Sequence, residues 1–192
     1  MEQTMKKIFV MAAVAILTVM SAQAQKQPAG MRVEVAEAET DHGEYSIFTY
    51  QDTDSADTFG YYLSLGRTAD FLGADEILGM QVQNIHEVTI YLGATTDEAL
   101  AAIEGILDLY SKDAGTTVEF PGRAATNGFQ LGEPVTATCT VVKKFLGGKR
   151  LQFLFPEGKR QARADLSKST LKELRTDFKF DIKLHPKQHR KQ

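Results

Sequence analysis

Asp41, His42 and Glu44 fall within one four-residue stretch, Asp41-His42-Gly43-Glu44. A histidine between two carboxylates can shuttle a proton or contribute to a metal site. His86 is a further imidazole candidate. An enzyme whose site gathers residues distant in sequence would use Asp41, His42, Glu44 and His86 first. Asp and Gly are also turn formers, so the same stretch reads as a solvated turn ahead of a strand. His86-Glu87 runs on into Val88-Thr89-Ile90, and the second histidine of a zinc-protease helix is missing.

Asp52, Asp54 and Asp57 form a second grouping that could offer oxygen ligands to a hard cation such as calcium. The calcium-loop pattern, however, wants an oxygen ligand at position 56 and glycine at 57, and these are Ala56 and Asp57. An acidic tip between two strands, keeping the edge soluble, accounts for the same residues. Gly148-Lys149 lacks a P-loop frame, with Lys143 in place of the leading glycine and Arg150 in place of Ser or Thr. Ser64 lacks a nucleophile elbow, because Tyr62 stands where its first glycine belongs. No catalytic, cofactor or metal residue is therefore assigned from motif alone.

The chain begins with Lys6 and Lys7, an apolar run from Ile8 to Met20, and Ala22-Gln23-Ala24. Positive, apolar and small-residue segments in that order read as a signal peptide over 1–24, cut between Ala24 and Gln25. The run is too short for a spanning helix. The expected location is periplasmic or secreted, with no transmembrane anchor in the mature chain. Net charge over all 192 residues is −3, which argues against a dedicated nucleic-acid binder. With one cysteine, Cys139, no intrachain disulfide can form. Val135, Ala137, Cys139 and Val141 alternate with threonines, so Cys139 is expected in the core.

Period-two alternation dominates residues 25–184, which read as a single domain. Met31, Val33 and Val35 are expected inward from a first strand, with Arg32, Glu34 and Ala36 on its other side. Glu44 to Tyr50 form a second strand. Phe59, Tyr61, Leu63 and Leu65 line a third, and Val88, Ile90 and Leu92 face inward from another. At about 96–111 the period turns helical through Leu100, Ile103, Ile106, Leu107 and Tyr110, with Thr95 and Glu98 as a capping box. Gly105 within it marks either a close helix-to-sheet contact or a tolerated weak point. A short strand at 116–120 is expected to close at Pro121-Gly122. A hairpin turning tightly through Gly147-Gly148 should pair the Cys139 and Phe153 strands, with Pro156 ending it. A short helix near Ser167–Arg175 is followed by an expected closing strand with Phe178, Phe180, Ile182 and Leu184 on one face. Residues 185–192 read as a basic, disordered, solvated tail.

The expected fold class is thus α+β: a mainly antiparallel sheet of about seven or eight strands, one amphipathic helix and a short C-terminal helix. The function these features favour is an exported, non-enzymatic binding or interaction protein, its partner an unidentified protein or envelope ligand. The enzyme built on Asp41, His42, Glu44 and His86 is the alternative.

Overall fold

Apolar and polar residues alternate along most of this chain, and a meander of antiparallel strands is how a single sheet uses that pattern. The computed structural model describes residues 30–40, 43–52, 59–68, 75–77, 80–82, 86–126, 131–157, 160–186 and 188–189. The expected signal peptide, Asp41, His42, Asp54 and Asp57 lie outside these residues, as do the side chains of Asp52 and His86. In chain order the elements are β1 (Gly30–Thr40), β2 (Gly43–Asp52), β3 (Gly60–Thr68), β4 (Asp75–Ile77), β5 (Met80–Val82), β6 (His86–Gly93), α1 (Thr96–Leu109), β7 (Thr117–Thr126), β8 (Glu133–Lys143), β9 (Lys149–Glu157), β10 (Arg160–Leu166) and α2 (Lys168–Leu184). Eight strands form one antiparallel sheet in the order β1-β2-β3-β6-β7-β8-β9-β10, and β4 and β5 make a separate short hairpin.

The sheet curls until its far end meets its beginning: Tyr45 Oη on β2 donates to the Asp165 carbonyl on β10 at 2.8 Å. The inner face of that curl holds the main core, with Ile47, Tyr61, Leu63, Ile90, Leu151, Phe153 and Phe155 buried beside Ile103 and Ile106 of α1 and Leu171, Leu174 and Phe178 of α2. Cys139 is buried in this core, and burial raises its thiol to about 12. α1 starts where its capping box places it, with Glu98 N–H donating to Thr95 Oγ1 at 3.2 Å and Thr95 N–H to Glu98 Oε2 at 3.1 Å. Gly105 faces solvent with open space where a Cβ would stand, so it is the tolerated weak point.

Four local expectations are corrected. No closing strand follows the C-terminal helix; α2 continues through Phe178 to Leu184. Leu171, Leu174, Phe178 and the partly buried Ile182 continue one helical stripe, whereas Phe180 and Leu184 face water. The period-two coincidence of four apolar residues yields to a helix already capped at Ser167, whose Oγ accepts from Thr170 N–H at 3.1 Å. β7 does not stop at Pro121-Gly122 but runs to Thr126; its ladder with β6 begins at Gly122, so Pro121 sits on a stretch open on that side. β9 likewise passes through Pro156 and turns into β10, a strand whose inward Ala162, Ala164 and Leu166 carry a weak β signal.

The fourth concerns β1, where Met31 and Val33 are exposed while Val35, Ala36 and Ala38 are buried. A bulge between Glu34 and Ala36 takes up Val35 as the extra residue. Alternation is therefore reset in mid-strand.

Candidate binding cleft

That bulge builds the site. Without it Arg32 and Glu34 would face away from Glu37 and Glu39, because residues an odd number apart on a strand take opposite faces. With one residue taken out of step, all four share the outer face of β1. Register carries the face across the sheet: Glu39 pairs with Glu44, Glu37 with Ser46, Glu34 with Phe48 and Arg32 with Tyr50. Ser46 and Phe48 pair in turn with Ser64 and Tyr62 of β3, and these with Thr89 and Tyr91 of β6. The outer face of β1-β2-β3-β6 therefore carries a polar row beside an aromatic one.

A cleft of about 290 Å³ opens over the polar row, lined by Arg32, Glu34, Glu44, Ser46, Ser64 and Glu87 among others. Arg32 organises it. Its Nη1 donates to Glu87 Oε2 at 2.6 Å, its Nη2 to Glu87 Oε1 at 3.1 Å, and its Nε to Glu34 Oε1 at 2.6 Å. Its Cζ also lies 3.8 Å from the centre of the Phe48 ring. Burial acts to lower the guanidinium pKa, but Glu87 and then Glu34 outweigh it and leave it raised above its ordinary value. Two carboxylates thus engage the only cation among the described lining residues, and Glu37, Glu39 and Glu44 give the cleft an acidic balance.

Two features of this face are costly for a plain scaffold. Ser64 and Thr89 are buried with Glu87, and Thr89 Oγ1 has no hydrogen-bond partner among the described residues. Gly66 stands at an irregularity of β3, with φ +94, and a Cβ there would come within 3.2 Å of the Glu44 carbonyl. Only glycine meets both demands at the rim. Below the cleft, Phe48 and Tyr62 stack at 5.5 Å between ring centres, and Tyr50 and Tyr91 complete the aromatic row. Burial raises the Tyr62 hydroxyl pKa, against the opposing effect of Arg123.

Of the four residues singled out for chemistry, Glu44 lines the cleft. His86 opens β6, its backbone paired with Thr68; Asp41 and His42 lie outside the described residues. Arg32, Ser46, Ser64 and Glu87 had no motif to announce them. The signal that could have found them is a run of charged and small polar residues on strand faces that turn out to be buried. Among the described residues no three His, Cys, Asp or Glu side chains gather as metal ligands.

A second polar grouping lies inside the C-terminal end. His189 Nδ1 is 2.9 Å from Tyr61 Oη and its Nε2 is 2.8 Å from Asp181 Oδ2, while His185 Nδ1 is 2.7 Å from Asp181 Oδ1. The His189 ring stacks on Tyr61, seating this end of the chain against β3 and α2. Its side chain is only 3 % exposed, so the grouping serves as a seal rather than an accessible site. Compared with protein-family models, with curated proteins and with solved structures, the chain matches none. Its function has to be argued from the cleft itself.

Proposed function

We propose that this chain is an exported binding protein that holds a small polar ligand with a positively charged group in the cleft over β1, β2, β3 and β6. The observation that carries the reading is the largely buried Arg32–Glu87 pair, with the buried Ser64 and Thr89 on the same sheet face and an acidic rim above. A buried ion pair is a poor way to gain stability compared with apolar residues of similar volume. A fold that keeps one beside a hydroxyl with no partner among the described residues has a use for polar groups there. Two glutamates already neutralise Arg32, so the remaining carboxylates favour a cation. The cleft volume, about 290 Å³, suits a small molecule.

Apart from Ala38 the described lining residues are carboxylates, hydroxyls and one guanidinium, groups suited to holding a polar cationic ligand. The enzyme reading keeps one supporting observation, the presence of Glu44 at the cleft. Export is supported by the three-part pattern of residues 1–24.

Thermal melting against arginine, lysine, putrescine and spermidine tests the ligand class. One of these should raise Tm, with a rise that grows with the logarithm of its concentration above Kd, and Glu37→Gln/Glu44→Gln should abolish the rise while leaving the unliganded Tm within about 2 °C. A panel without effect, or a shift the double variant retains, refutes the cleft as a cation site. Intact mass of protein from its native envelope should begin at Gln25.

A further inference from the structure

The connection between β8 and β9 is a five-residue turn, Lys144-Phe145-Leu146-Gly147-Gly148, at the far end of the hairpin that pairs Cys139 with Phe153. It is held rather than loose. Lys144 N–H donates to the Gly148 carbonyl at 3.0 Å and Gly147 N–H to the Lys144 carbonyl at 3.2 Å. Gly147 and Gly148 take φ of 91 and 79, a region that side-chain-bearing residues rarely enter. This backbone presents its two largest apolar side chains outward: Phe145 is 102 % exposed and Leu146 95 %.

Adjacent apolar residues this exposed, at the tip of an ordered hairpin, are costly to solubility and call for an occupant. The charges around them say which. Lys143 and Lys144 precede the pair and Lys149 and Arg150 follow it, with no acid from 143 to 150. Arg150 is engaged by Asp165 at 3.1 Å. Lys149 Nζ donates to the Lys112 carbonyl, which brings the turn after α1, with Lys112 and its single neighbouring acid Asp113, beside the hairpin. Lys143, Lys144 and Lys149 therefore form a collar in sequence around the two apolar side chains, with the turn that carries Lys112 and Asp113 next to it.

We propose that this hairpin tip is a membrane anchor that inserts Phe145 and Leu146 into the interfacial layer of an anionic lipid bilayer while the lysine collar lies on the headgroups. A protein partner fits less well, because two projecting side chains offer far less than the roughly 800 Å² per side that a stable protein interface buries. A bilayer needs no complementary pocket. One apolar insertion alone binds marginally, and an added basic patch makes the second signal that retains a protein on anionic lipid. The inference rests on the hairpin alone and is independent of the cleft's ligand.

Vesicle sedimentation tests it, using protein that begins at Gln25 and so keeps every described element. The sequence contains no tryptophan, which makes Phe145→Trp a single fluorescent reporter at the tip. With vesicles of phosphatidylglycerol and phosphatidylcholine at low salt, its emission should shift to the blue and the protein should sediment. Pure phosphatidylcholine should give neither. Phe145→Ser/Leu146→Ser should weaken binding at least about tenfold, and Lys143→Gln/Lys144→Gln should weaken it and flatten its salt dependence. Both variants change exposed residues, and an unchanged Tm verifies that they fold. Absence of sedimentation with anionic vesicles, or sedimentation indifferent to the tip variants, overturns the proposal. So does tip-dependent self-association or protein capture without lipid binding.

Discussion

Arg32 Nη1 on β1 lies 2.6 Å from Glu87 Oε2 on β6, although β2 and β3 stand between those strands in the sheet. The pair closes over the outer face of two intervening strands and ties the edge of the sheet to its middle. Removing Arg32 leaves the Glu87 carboxylate buried without its cation, so Arg32→Met should cost about 3 kcal/mol in urea denaturation, and Glu87→Leu, which leaves Arg32 paired with Glu34, should cost less. The double variant should cost clearly less than their sum. Additive losses would show that the two side chains act independently.

Phe178 and Phe180 distinguish the helix from a strand. On α2 the first is wholly buried and the second exposed, so Phe178→Ala should destabilise by about 3–5 kcal/mol and Phe180→Ala by no more than about 0.5 kcal/mol. Equal losses would restore the alternating strand.

Gly105 lies on the solvent face of α1, and a Cβ added there would meet nothing within 4 Å. Gly105→Ala should stabilise the protein by about 0.5–1 kcal/mol in chemical denaturation. A loss of stability would mean that the helix face is covered.

Alkaline pH should weaken the fold in a defined direction. Burial raises Cys139 from 9.0 to about 12, and burial likewise raises Tyr45, Tyr61 and Tyr110 above 10.0. A group whose folded pKa lies above its unfolded value keeps its full contribution below the unfolded pKa and loses it as pH rises toward the folded one. Stability should therefore fall from about pH 9 upward, with Cys139→Ala flattening the first part of that fall. In the native state near pH 8 a thiol reagent should label Cys139 only at the rate of unfolding.

The hairpin glycines have a stability consequence separate from lipid binding. Valine at both Gly147 and Gly148 must occupy positive φ, and the double variant should lose about 2–4 kcal/mol. Unchanged melting would place the turn elsewhere.

The order of apolar and polar residues was enough to reach an antiparallel sheet, the inward faces of β3, β6 and β8, the burial of Cys139 and the start of α1 at Thr95. These follow from interactions only a few residues apart, where period and capping act directly. Tertiary structure decided the rest. Phe178 to Leu184 could alternate as a strand or continue a helix, and the packing of Leu174, Phe178 and Ile182 against the core selected the helix. The facing of Arg32 depends on a one-residue bulge at Val35, which no pattern of residue types records, because a bulge is set by how β1 meets β2. Ser64, Thr89 and Glu87 look like solvent-facing residues in their own strands; only the apposition of β1, β2, β3 and β6 buries them together. Among the described residues first suspected of chemistry, Glu44 lines the cleft, since a site made from four strands is assembled by register rather than by spacing along the chain.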